Sequence, residues 1–197
     1  MGSEMCIRDR DFLWGTLKPI PADQLIEVGN GDQVKIDDFT ISAWHTPGHA
    51  KHHIAWLIGK DLFTGDVAGV CINGGPVIPP CPPPDINFED WESSIQEIEE
   101  LEDVEAFYLT HFGKVTDTKR HLKLLRKGLQ AYSSFAQPYH EKGISADEML
   151  PDVRAFVDEY LTSNGMSASD ALAYEGANPS DMSAAGLMRY WKKREQV

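Results

Sequence analysis

The sequence predicts a mixed α/β (α+β) domain that runs into an all-helical extension. Three observations carry this expectation. Short β-rich segments separated by turn residues lie between Gln33 and Asp66, a single amphipathic stretch leads back into a buried strand near Ala106, and helical periodicity takes over from Thr116 onward.

The first segment, "QVKIDDFTISAW" from Gln33 to Trp44, reads as two strands turning at Asp37-Asp38. After a histidine-rich stretch come "IAWLI", Ile54 to Ile58, a Gly59-Lys60 turn, and "DLFTGD", Asp61 to Asp66, read as consecutive strands. Gly69 to Pro84 holds paired glycines and six prolines, which excludes regular helix or central strand and predicts a long loop. Asn87 is placed to cap a helix whose residues Phe88, Trp91, Ile95, Ile98 and Leu101 share a face. "AFYLTH" then predicts a short buried strand, Ala106 to Leu109, ending at Thr110-His111. Beyond it, Leu122, Leu125, Leu129, Tyr132 and Phe135 form one helical stripe. Ser145 and Glu148 make a capping box for a helix that Pro151 is expected to split or offset, and a last helix starts near Ser183 and ends in Lys192-Lys193-Arg194.

Composition narrows the function classes. At 197 residues the chain suits one core, and 42% hydrophobic with 25% charged residues is the balance of a water-soluble globular domain. A net charge of -13 argues against nucleic acid or an anionic membrane as the principal partner. Cys6, Cys71 and Cys81 have no CxxC spacing, so no disulfide framework or zinc ribbon is expected; a reducing cytoplasm is the expected compartment. "MCIRDR", Met5 to Arg10, resembles the translation of a sequencing-library adapter, and residues 1–10 are therefore set apart as non-native.

The chemistry-bearing residues cluster at strand ends. "HTPGHAKHH" packs His45, His49, His52 and His53 around a Pro-Gly break, Asp66 closes "LFTGD", and His111 closes "FYLTH". Residues at the same ends of neighbouring strands converge, and imidazoles with a carboxylate are the ligands that borderline divalent metals take. Singly, each has an ordinary structural reading: Asp66 as a turn residue, either histidine as a hydrogen-bonded filler. A helical HxxxH pair, His49 with His53, is the weaker alternative because it lacks the HExxH glutamate and follows Pro-Gly. His45, His52, His121 and His140 are expected at strand end, loop and helix surface.

Thr46-Pro47-Gly48-His49, Thr64-Gly65-Asp66 and Thr110-His111, in that order, resemble the later metal-binding motifs of the metallo-β-lactamase superfamily, over roughly Asp11 to Gly113. The resemblance implies a four-layer αββα sandwich with two divalent metal ions, of which zinc is expected and iron or manganese are alternatives. By it His49 binds the first metal, Asp66 bridges the two, His111 binds the second, and His53 supports the ligands from behind. It assigns residues 11–114 to the C-terminal part of that domain and residues 115–197 to a helical extension.

The superfamily's first motif, HxHxDH, does not occur in the chain. The expectation is a sandwich incomplete at its N-terminus and a truncated chain that is inactive and folds poorly. The implied activity of the parent protein is hydrolysis of a small ester, thioester or lactone by a metal-activated hydroxide, as in the glyoxalase-II-like branch. The alternatives are a non-catalytic binding or assembly module and an iron-dependent redox protein. The expected partner is a small-molecule substrate, and a homodimer is left open.

Overall fold

The computed structural model describes residues 18–111 and 113–195. The non-native segment expected at residues 1–10 lies outside them. Strands β1 (Gln33–Ile36), β2 (Phe39–His45), β3 (Ile54–Ile58), β4 (Asp61–Gly65), β5 (Ala106–Leu109) and β6 (Lys114–Val115) form one sheet in sequence order. All neighbours are antiparallel except β4 and β5, which are parallel because the loop and helix α1 (Phe88–Glu100) intervene as a crossover. Four more helices follow: α2 (Thr118–Glu141), α3 (Ala146–Ser163), α4 (Ala168–Ala177) and α5 (Ser180–Arg194). The mixed α/β architecture with C-terminal helices is the expected one. Among the described residues there is one sheet, where the resemblance implied two.

The pleat sends two rows of side chains to opposite faces. Leu57, Leu62 and Phe107 are register partners in turn and join a core cluster with Trp91 and Ile95 of α1, Leu122, Leu125 and Leu129 of α2, and Leu187 of α5. That single cluster extends from Ala55 to Tyr190, so the C-terminal helices share the core of the sheet. α5 packs on both α2 and α3.

Local signals explain most boundaries. Asn87 Oδ1 accepts the Asp90 N–H at 3.0 Å, and Ser145 with Glu148 completes the capping box. α3 is unbroken at Pro151, contrary to expectation. Asp147, whose carbonyl loses its partner to the proline, is solvent-facing, so water can take the place of the missing N–H. α4 has no counterpart in the sequence reading, and α5 begins at Ser180, before the expected Ser183. No helix among the described residues is long and apolar enough to cross a membrane.

Candidate metal centre

β2, β4 and β5 run in the same direction, so their C-terminal ends share one sheet edge. His49 follows β2, Asp66 follows β4 and His111 follows β5, and the structure brings all three together there. The register pairs Gly65 with Leu109, which sets Asp66 beside His111.

Asp66 stands between the two imidazoles, with Oδ2 3.4 Å from His49 Nε2 and Oδ1 3.4 Å from His111 Nε2. Both separations are long for a charge-assisted hydrogen bond. They match the roughly 3.3 Å between two ligand atoms that each lie about 2.0–2.1 Å from a tetrahedral zinc. Asp66 Oδ1 is buried and has no hydrogen-bond partner among the described residues, a state that is costly for a carboxylate oxygen and fits a cation site. The donor set therefore fits divalent metal in type, in spacing and in the unpaired carboxylate oxygen. In number it supplies one imidazole and one carboxylate oxygen per cation. Among the described residues no three His, Cys, Asp or Glu side chains converge on a single ion.

The surrounding hydrogen bonds fix how these groups present themselves. His49 Nδ1 lies 2.9 Å from the Pro80 carbonyl, which can only accept, so Nδ1 carries a proton and Nε2 is the nitrogen turned toward Asp66. His53 Nε2 accepts the Asp66 backbone N–H at 3.1 Å, so its Nδ1–H donates to Thr46 Oγ1 at 2.8 Å. Burial, with the neighbouring His49 adding to it, pushes the His53 pKa down to about 4 and keeps the ring neutral. His53 thus ties the Thr46 and Asp66 segments together, and both its nitrogens are engaged.

Two glycines make this packing possible. Gly65 adopts φ +55°, and a Cβ there would meet His53 Nε2 at 2.4 Å. A Cβ on Gly48 would meet the Trp91 backbone at 2.4 Å. Trp91 is a wall of the site that the sequence reading placed only in the helix core. Its ring stands edge-on to His49 at 5.9 Å, and its Nε1–H donates to Val67 O at 2.7 Å. The tryptophan falls on the apolar stripe of α1, so periodicity alone could not separate the two roles.

The other histidines scatter. His45 is exposed, its Nε2 2.7 Å from Lys51 O, and His52 lies in an exposed turn. The segment from His49 to His53 is not helical, which removes the HxxxH alternative. His121 and His140 correct the surface assignment: His121 is 4% exposed and donates to Ala68 O at 2.8 Å, and the His140 side chain is 14% exposed against Trp191. Beside this strand-end cluster lies a cleft of about 530 Å³ whose lining includes His49, Ala50, Ile54, Trp56, Asp66 and Pro83.

The fold and this strand-end cluster define a metallo-β-lactamase-type protein, and comparison with known proteins agrees. The family model described as "Metallo-beta-lactamase superfamily" matches residues 3–111, and the chain belongs to that superfamily. It is 32% identical over 124 residues to the metallo-beta-lactamase fold-containing protein ST1585 of Sulfurisphaera tokodaii, a match covering 61% of this chain and 46% of that one. The ST1585 crystal structure aligns at 30% identity over 66% of this chain and 48% of its own, with a TM-score of 0.49. The metallo-beta-lactamase family protein TTHA1429 from Thermus thermophilus aligns over 98% of this chain and 60% of its own, at 17% identity and a TM-score of 0.54, which shows a shared fold. The chain spans about half the length of the curated relative it matches.

Proposed function

We propose that His49, Asp66 and His111 are ligands of two divalent cations, zinc by the character of the donor set, in a hydrolase of small esters, thioesters or lactones. The observation that carries this reading is the Asp66 carboxylate, one oxygen toward each imidazole and Oδ1 buried without a partner. Membership in a superfamily that typically binds divalent metals supports it.

Cations held there would supply Lewis acidity, lowering the pKa of water toward neutrality and polarising a carbonyl oxygen. The protein's own part is geometric. Asp66 offers one oxygen to each cation, and His49 and His111 each offer one nitrogen. His53 holds the Asp66 backbone, and the cleft beside them has the volume of a small-molecule site. Among the described residues there are two protein ligands per cation, short of the three that a catalytic zinc normally takes. On this reading His49, Asp66 and His111 by themselves hold metal weakly, and hydrolysis needs further ligands on each cation. The same shortfall favours, as a second reading, a non-catalytic metal-binding module.

Zinc titration against a chromophoric chelator, on the chain and on Asp66→Ala, tests the centre. The expected result is weak zinc binding that Asp66→Ala reduces about tenfold or more. Equal affinity in the two proteins would remove Asp66 from the centre and overturn the reading. Tight stoichiometric binding without hydrolysis of any ester, thioester or lactone would favour the binding module.

A further inference from the structure

Pro82, Pro83 and Pro84 line the cleft, and the segment from Pro79 to Pro84 that carries them has few hydrogen bonds of its own to set where its carbonyls point. Five of its six residues are proline, so it offers carbonyls with almost no N–H groups to pair them. The loop's own ladder stops at the Val70–Ile78 bridge, and among the described residues none from Pro79 to Ile86 makes a backbone–backbone hydrogen bond. Yet one of these carbonyls, Pro80 O, is the acceptor that sets the orientation and tautomer of His49.

The donors come from the helical extension, nearly a hundred residues or more along the chain. The Tyr174 hydroxyl of α4 donates to Pro76 O at 2.8 Å, and Asn178 Nδ2 reaches Pro79 O at 3.4 Å. On α5, Arg189 Nε and Lys193 Nζ donate to Pro84 O at 3.0 and 2.6 Å. Between these anchors α5 lies directly on the loop at Gly186, where a Cβ would come within 1.9 Å of Cys81 O. The loop is thus gripped on both sides of Pro80 while the Pro80 carbonyl itself is left for the imidazole.

We propose that the C-terminal helices are a positioning brace for the metal centre: Asn178, Gly186, Arg189 and Lys193 fix the carbonyl track of Pro79–Pro84, and through Pro80 O that track holds His49 with Nε2 free to ligate. The functional meaning of this brace rests on the metal reading above, but its structural claim does not. None of the four residues touches a cation or substrate; they act through His49.

Long-range proton–nitrogen spectra of histidine-labelled, metal-free protein read the His49 tautomer directly. Arg189→Ala with Lys193→Ala removes two surface donors with little risk to folding, and Gly186→Ala displaces the loop from the other side. Both variants are expected to change His49 from the single Nδ1–H tautomer to a mixture and to weaken zinc binding about tenfold. His121, whose acceptor Ala68 O lies outside the proline track, should keep its signals and so report an intact fold. Lys193→Arg, which keeps a donor for Pro84 O, should leave the His49 spectrum as in the parent chain. An unchanged His49 tautomer in both disrupting variants would overturn the brace. If His49 responds while the parent chain binds no zinc, the brace stands and the metal reading falls.

Discussion

His121 shows how burial at a single residue becomes a pH dependence of the whole protein. Its ring sits edge-on to Phe107 at 6.1 Å, and Nε2–H donates to the Ala68 carbonyl. Burial pushes its pKa below the usual 6.5, and the Ala68 hydrogen bond only partly opposes that shift, so the folded protein holds the ring neutral. The unfolded chain takes up a proton as pH passes below about 6.5, so stability present above that value is lost as pH falls toward the lowered folded-state pKa. Denaturant midpoints should therefore drop between about pH 7.5 and about pH 5.5, and drop less in His121→Gln, whose amide can reach the same carbonyl without titrating. Equal drops in the two proteins would place the acid sensitivity elsewhere. The sequence concealed this residue because its partner lies 53 positions away and nothing local marks a buried imidazole. That His49, Asp66 and His111 would meet was legible for the opposite reason: Asp66 and His111 close strand-like runs, His49 follows one through the Pro47-Gly48 break, and strand ends converge.

At the scale of elements, α1 couples packing to the site. Its N-cap Asn87 takes the Asp90 N–H on its side chain and donates its own backbone N–H to Gly48 O at 2.9 Å, and Ser94 Oγ donates to Pro47 O at 2.6 Å. The Pro47–Gly48 turn that aims His49 is therefore fastened to the first two turns of this helix. Asn87→Ala should lower unfolding free energy by about 1 kcal/mol, the usual cost of an N-cap, as measured by urea denaturation. No change would mean that water caps the helix equally well. This helix was readable in advance because its cap and its Trp91–Ile95–Ile98 stripe agree. α4 was not, because in "ASDALAYEGA" Tyr174 is the one large residue fully buried while Leu172 is 75% exposed, so there is no stripe to find. Pro151 misled in the other direction, since a proline whose orphaned carbonyl faces water need not interrupt a helix.

At the scale of the molecule, the sheet has one face in the core and one without a described partner. Register aligns Val34, Ile41 and Ile58 in one row and Trp56, Phe63 and Tyr108 in another, and none of the six joins the core cluster. Ile36 and Phe39, paired at the β1–β2 turn, are 54% and 63% exposed on the same face. The sequence already carries this pattern: "IAWLI" is apolar at every position, the mark of a strand meant to be covered on both sides. An apolar face of this kind, bordered by the edge strand β1, favours association between copies, whereas the net charge of -13 opposes it. The two effects respond differently to salt, which screens repulsion between surface charges while leaving apolar burial in place. Light scattering should therefore show a mass that rises with protein concentration and rises further with added salt. Ile36→Lys with Phe39→Lys should return it toward the monomer at little cost in stability, because both side chains are already more than half exposed. A monomer at every concentration and salt level would show that this face is covered within the chain itself, and association would then have no source in the sheet.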